Sequence, residues 1–155
     1  MTTGKTTVGQ LVAQMTGWRF VDADVLIVER SGMSIPELFA TQGEAAFRRL
    51  EMEVCRELAA GQRQVIATGG GMLIDGENRR IMEDAGVVVC LFATPEAIRA
   101  RIAGDDSRPL AAGWESLLAK RQPIYESFTH RVDTTDRTSH EVAQEVMEIW
   151  QAAFG

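Results

Sequence analysis

Apolar positions along the chain recur at two alternating spacings. Val8, Leu11, Val12 and Met15 fall at helical intervals from Thr6 to Met15, and Gly17 follows as a stop. Trp18-Arg19-Phe20-Val21 then reads as a short strand running into Asp22-Ala23-Asp24. Ser34-Ile35-Pro36-Glu37 has the form of a capping box, which opens a short helix to Phe39. Phe47, Leu50, Val54 and Leu58 line one face of a longer helix from about Gly43 to Ala60, with Gly61 beyond its end. Val65-Ile66-Ala67 is a strand entering Gly69-Gly70-Gly71, and Asn78 to Ala85 is helical. The unbroken apolar run Val87 to Phe92 suits a parallel strand buried on both faces. Pro95 starts a helix over Glu96 to Ile102, and a polar, glycine-containing loop fills 103–113. Helices near Trp114–Arg121 and Ser139–Ala153 flank a short strand, Arg131-Val132-Asp133. Alternating strands and helices predict an α/β fold around a parallel sheet. The chain shows no repeat, low-complexity tract or interdomain linker, so 1–155 is expected to be a single domain.

Composition narrows the class of partner. Hydrophobic content of 45% and charged content of 25% are ordinary for a globular enzyme domain. A net charge of −6 provides no basic field for nucleic acid or an anionic membrane, so an anionic ligand has to be held by locally clustered arginine. Cys55 and Cys90 sit in apolar patterns and read as reduced, buried residues rather than a disulfide. No apolar run approaches the roughly 18 residues of a membrane span, and no signal peptide is recognisable, which gives a cytoplasmic expectation.

Five constellations carry candidate chemistry. Gly4-Lys5-Thr6-Thr7 matches the end of a phosphate-binding loop, G-x-x-x-x-G-K-[ST], whose backbone N–H groups wrap phosphates while the lysine and hydroxyl reach the outer phosphate and Mg²⁺. Asp22 and Asp24 follow the first strand, where an open parallel sheet binds ligands. One carboxylate there can hold Mg²⁺ through water and the other can accept a hydroxyl proton, although Asp-x-Asp is also common in solvated turns. Arg48 and Glu51 share a helix face, so the glutamate can steady the arginine for a ligand carboxylate, or the two can form an ordinary surface pair. Gly69-Gly70-Gly71 after a strand suits close approach of a ligand to the main chain, with a flexible turn as the lesser alternative. The late arginines Arg101, Arg108 and Arg121 are each compatible with a plain solvated charge. On a loop, however, Arg108 could close over a transferring phosphoryl group.

Read together, these pieces resemble shikimate kinase along essentially the whole chain. The matching segments are G-K-T-T (4–7), F-V-D-A-D (20–24), G-M-S-I-P-E-L-F (32–39), G-E-A-A-F-R-R-L-E (43–51), A-T-G-G-G (67–71), R-P-L (108–110), K-R-Q-P-I-Y (120–125) and V-D-T (132–134). The resemblance implies a three-layer P-loop kinase fold with five parallel strands in the order 2-3-1-4-5. The first strand and the front of the loop would fall upstream of Met1, so this chain is expected to be N-terminally shortened, poorly stable and weakly active. It implies transfer of the ATP γ-phosphate to the 3-hydroxyl of shikimate, in aromatic amino acid (chorismate) biosynthesis, by a monomer using Mg²⁺.

Position by position, the resemblance assigns Gly4, Lys5, Thr6 and Thr7 to the phosphates, with Mg²⁺ on Thr6 and, through water, on Asp22. Asp24 is the candidate base and binds the shikimate hydroxyls. Arg48 and Arg121 clamp the shikimate carboxylate, Glu51 supports Arg48, and Gly69, Gly70 and Gly71 line the pocket. Arg108 is the catalytic lid arginine, while Arg101 stacks on adenine with Arg137 in the adenine-side loop. The substrate-binding region is expected at about 24–51 and the lid at about 103–113. A gluconate kinase would share Lys5, Thr6 and the fold but should lack the paired Arg48 and Arg121. Against a non-catalytic relative, joint retention of Lys5, Asp22, Asp24 and Arg108 argues against long-standing loss of catalysis, whereas the missing strand is what would make this chain an inactive fragment.

Overall fold

The structure, a computed structural model of the chain, describes residues 3–103 and 113–154. Two compact units divide it: Met1–Val12 with Val88–Gly155, and Ala13–Val87.

In the Ala13–Val87 unit, β1 (Arg19–Asp22) pairs in parallel with β2 (Gln64–Ala67), Arg19 opposite Gln64 and Asp22 opposite Ala67. The carboxyl ends of both strands therefore lie side by side, one feeding Asp22-Ala23-Asp24 and the other the glycine run. The chain leaves β1 directly into helix α2 (Ala23–Ser31), an element the sequence pattern did not predict. Val25-Leu26-Ile27-Val28 is a continuous apolar run with no helical period. Only Ala23 and Ile27 of this helix are fully buried, one turn apart, and Val25 and Val28 face outward.

Helix α3 (Ile35–Ala60) begins with the predicted capping box: Ser34 Oγ accepts from Glu37 N–H, and Glu37 Oε2 accepts from Ser34 N–H. The two expected helices are joined into one, bent at Gly43, whose φ of 84° and ψ of 171° lie outside helical space. Phe39 and Phe47 pack across that bend with ring centroids 4.8 Å apart. Leu38, Phe47, Val54, Cys55 and Leu58 turn inward beside Ile27, Met72 and Met82 to form the core of this unit. Ion pairs of Arg30 with Glu57 and of Arg56 with Glu77 lie on its surface. Helix α4 runs from Gly76 to Ala85, starting two residues before the expected Asn78 because Asp75 supplies the cap.

In the other unit, β3 (Val89–Phe92) pairs in parallel with β4 (His130–Asp133), Cys90 opposite Arg131. Helix α1 (Lys5–Thr16) starts in this unit, and α5 (Pro95–Ala103), α6 (Trp114–Glu126) and α7 (Ser139–Phe154) complete it. Helix α6 continues past the expected end at Arg121 with Pro123 inside it; the ring removes one helical N–H but does not end the helix. Val8, Val12, Ile98, Phe128, Val132, Val142 and Ala143 are the buried apolar residues described in this unit. The apolar run of β3 is not buried on both faces as expected; all four residues are half-buried. Among the described residues each sheet has two strands, so β2 and β3 each pair along one edge only. Cys55 is buried as expected, whereas Cys90 on β3 is partly exposed, and both are free thiols.

Gly43 occupies a backbone region that side chains with a Cβ avoid, yet nothing lies within 4 Å of where a Cβ would stand. Gly43→Ala should therefore destabilise through backbone strain alone, by about 1–3 kcal/mol, with an unchanged denaturant m-value. Urea unfolding of the two chains checks this, and an unaltered midpoint would contradict the bend.

Candidate active site

The residues expected at the phosphates lie at the start of α1. Gly4 adopts φ 87° and accepts a bond from Val8 N–H at 2.9 Å, so the helix begins at Lys5. Helix starts leave outward N–H groups, and Gly4 has no side-chain oxygen with which to cap them. The first-turn N–H groups, the Lys5 ammonium and the Thr6 and Thr7 hydroxyls form the kind of donor set that holds phosphate.

The Ala13–Val87 unit contains the acidic and glycine residues. Asp22 caps α2, its Oδ1 accepting from Asp24 N–H at 2.9 Å and Val25 N–H at 3.2 Å. That fixes Asp24 in the first helical turn, where the helix dipole favours its charge. Gly69 lies directly against it: a Cβ there would stand 2.5 Å from Asp24 Oδ1 and 2.9 Å from Oδ2. Any side chain at 69 would displace the carboxylate, so at this glycine close approach, rather than turn flexibility, is the reason for the residue. Farther along α3, Arg48 Nη1 donates to Glu51 Oε1 at 2.8 Å, with Glu44 Oε1 3.7 Å from Arg48 Nε. Glu51 is buried while 39% of the Arg48 side chain is exposed, so the pair is anchored at one end and open to solvent at the other.

The remaining arginines belong to the other unit. Arg101, in the last turn of α5, donates through Nη1 to Thr134 Oγ1 at 3.1 Å and through Nη2 to Thr134 O at 2.8 Å. Thr134 is buried and bonds Phe92 O through both its N–H and its hydroxyl, which ties the ends of β3 and β4 together. Arg137 Nη1 donates to Asp133 O at 3.0 Å and to Glu145 Oε2 at 2.5 Å. Arg121 lies midway along α6. Arg108 and most of the expected lid at 103–113 lie outside the described residues.

The structure thus brings together Asp22, Asp24 and Gly69 in one place and Arg48 with Glu51 in another. Thr134 was quoted within V-D-T but given no role, since its bond partners, Arg101 and Phe92, are distant in sequence. Asn78 was missed too: it is buried and donates to Met72 O, and the only sequence signal was its i,i+4 spacing from the buried Met82.

Asp133 and Cys55, among the described residues, titrate away from their ordinary ranges. The backbone N–H and hydroxyl of Thr135 hold the Asp133 carboxyl below its usual value, helped by Arg137 and Arg101. Burial pushes the Cys55 thiol up to about 11, reinforced by the Glu51 and Asp75 carboxylates and opposed by Arg56.

Comparison with known proteins decides among the kinases. The family model "Shikimate kinase" matches residues 1–151. The chain belongs to the shikimate kinase family. It is 40% identical to a shikimate kinase of Moorella thermoacetica, over 98% of this chain and 91% of that one. With a shikimate kinase of Geobacter sulfurreducens it shares 42% identity, over 94% of this chain and 84% of the other. Among solved structures, the shikimate kinase of Acinetobacter baumannii in complex with shikimate superposes with a TM-score of 0.85 at 33% identity, covering 97% of this chain and 88% of that one. The Bacteroides thetaiotaomicron enzyme gives 0.88 at 29% identity, covering 97% and 94%. The α/β fold is accordingly that of the P-loop kinases, and the resemblance to this family rather than to a gluconate kinase is upheld.

The fold prefers the neutral Cys55 thiol, whose ordinary value is 9.0, so its ionisation opposes folding only above that pH. In native protein at pH 8, a thiol reagent should label Cys90 first and Cys55 slowly, the difference vanishing in denaturant. Peptide mapping of the labelled chain gives the order; equal native rates would contradict the buried, raised thiol.

Proposed function

We propose that this chain transfers the γ-phosphate of ATP to the 3-hydroxyl of shikimate, with the residues dividing the work as follows. Lys5 and the α1 N-terminus bind the outer phosphates. Asp24 hydrogen-bonds the shikimate hydroxyls and accepts the proton as the hydroxyl oxygen attacks phosphorus and the bond to ADP breaks. Arg48, held by Glu51, clamps the substrate carboxylate together with Arg121, and Gly69, Gly70 and Gly71 line the pocket. Arg108 closes over the phosphates, and Arg101 and Arg137 serve the adenine side. The observation that carries this reading is the Asp24 carboxylate lying close against Gly69, where a Cβ would force it to shift, in a chain of the shikimate kinase family.

Mg²⁺ fits the oxygen donors proposed for it, the Thr6 hydroxyl and, through water, the Asp22 carboxylate whose Oδ1 caps α2. Among the described residues there is no cluster of three or more His, Cys, Asp or Glu suited to a metal, which accords with an ion held largely by water and phosphate oxygens. The ion would neutralise charge on the transferring group.

The same proposal covers the architecture. The chain is read as one P-loop kinase domain with its substrate region at about 24–51 and its lid at about 103–113. The strand order is 2-3-1-4-5, in which β1 and β2 are strands 2 and 3 and β3 and β4 are strands 4 and 5. Support comes from the two parallel pairs among the described residues, β1 with β2 and β3 with β4. A cytoplasmic monomer without nucleic-acid or membrane partners belongs to this reading as well. No helix among the described residues is long and apolar enough to cross a membrane, and the net charge is −6.

A coupled assay for ADP release, supplied with ATP and Mg²⁺, tests the reaction: release with shikimate is expected, and release with gluconate alone would overturn it. Arg48→Lys keeps the charge but loses the two-pronged match to a carboxylate. It should weaken shikimate binding by about one to two orders of magnitude, the equivalent of about 1.5–3 kcal/mol. Lys5→Met should instead lower turnover, because Lys5 acts where charge develops. Gly69→Ala should weaken shikimate binding by pushing Asp24 aside; unchanged affinity in both Gly69→Ala and Arg48→Lys would refute the pocket.

A further inference from the structure

Three glycines in succession leave the turn after β2 with no side chains to fix it by packing, yet a pocket wall has to be rigid. The chain leaves that turn through a 3-10 turn, Met72–Ile74, whose amides close back on the glycines: Met72 N–H to Gly69 O and Ile74 N–H to Gly71 O, both at 3.3 Å. Beneath it lies a side chain that the chemistry described so far does not use. Asn78 is 2% exposed and donates through Nδ2 to Met72 O at 3.2 Å. Asn78 is itself held twice. Its N–H donates to Asp75 Oδ1 at 3.0 Å, and its carbonyl accepts from Cys55 Sγ at 3.6 Å on α3. Its own Oδ1, however, is buried with no hydrogen-bond partner. An unpaired buried amide oxygen costs about 1–3 kcal/mol, and an apolar residue of similar size would avoid it. The donor half of the amide is therefore the reason for an asparagine here.

We propose that Asn78 is a positioning residue for the shikimate pocket, holding the Gly69–Gly71 turn at its set distance from Asp24 through the buried Met72 carbonyl. The proposal rests on the reading of those glycines and Asp24 as the pocket. The approach of Gly69 to Asp24 leaves little slack: a Cβ would already overlap the carboxylate at 2.5 Å, so a small shift of the turn changes what Asp24 can reach. Asn78 touches no substrate in this scheme and acts only through the turn.

Calorimetric titration with shikimate and, separately, with ATP tests it. Asn78→Leu keeps the volume and removes the donor. It should weaken shikimate binding roughly tenfold, the loss expected for one buried hydrogen bond, and leave ATP within about twofold. Cys55→Ala disturbs the same buried cluster without touching Met72 O, and should lower the melting temperature while preserving shikimate affinity. Unchanged shikimate binding in Asn78→Leu, or equal losses for both ligands, would overturn the proposal. If the leucine variant does not fold, Asn78→Ser, too short to reach Met72 O, is read by the same criteria. In the wild-type chain the Asn78 side-chain amide resonances should shift on titration with shikimate, and unmoved resonances would also count against it. Arg48→Lys, titrated alongside, separates the two levels. Undiminished shikimate binding there overturns the pocket and the proposal with it. Weakened binding there with undiminished binding in Asn78→Leu removes the role of Asn78 alone.

Discussion

Every helix start leaves backbone N–H groups that need an acceptor, and this constraint shapes the whole chain. Five of the seven α-helices among the described residues meet it with a side-chain oxygen just before the first turn: Asp22, Ser34, Asp75, Thr94 and Thr138. Helix α1 follows Gly4 instead, which carries no such oxygen, and α6 follows Gly113. The start of a helix is also where its backbone N–H groups and dipole favour an anion. The same requirement, met by Asp22, sets Asp24 in the first turn of α2. The phosphate end and the acidic end are thus two answers to one backbone problem.

Glu51 shows an ion pair arranged for geometry more than for stability. Burying a carboxylate costs several kcal/mol, and its pairing with Arg48 offsets that cost without turning the pair into a large stabilising contribution. What the arrangement achieves is a guanidinium fixed at its buried end and presented at its exposed end. Because Arg48 and Glu51 lie one turn apart on a single helix, the geometry survives small motions of the surroundings. The bend at Gly43, with Phe39 packed against Phe47 across it, sets the direction of the part of α3 that carries the pair.

Much of the fold and site was legible in the sequence wherever the interaction spans one helical turn or less. The capping box at Ser34, the glycine and lysine opening α1, and the Arg48–Glu51 pair join residues no more than three or four apart, so spacing alone specifies them. Helix α2 escaped because burial of just Ala23 and Ile27, inside an unbroken apolar run, leaves no visible period. The half-exposed β3 escaped because an apolar run reports the preference of its residues, whereas burial depends on which strands and helices cover them.

By itself, the sequence determined the chemistry and the local geometry: which groups can bind phosphate, which carboxylates follow a strand, and which arginine has a glutamate one turn away. Tertiary structure alone decided that Gly69 meets Asp24, that Arg101 grips Thr134, and that Asn78 reaches the Met72 carbonyl beneath the glycine turn. The first two contacts join residues from different strands and helices. The third crosses only a few residues, but it depends on a turn and a helix start folding over one another. Such contacts follow from strand register and helix packing, which are set by the whole core and leave no periodic trace in the segments they join.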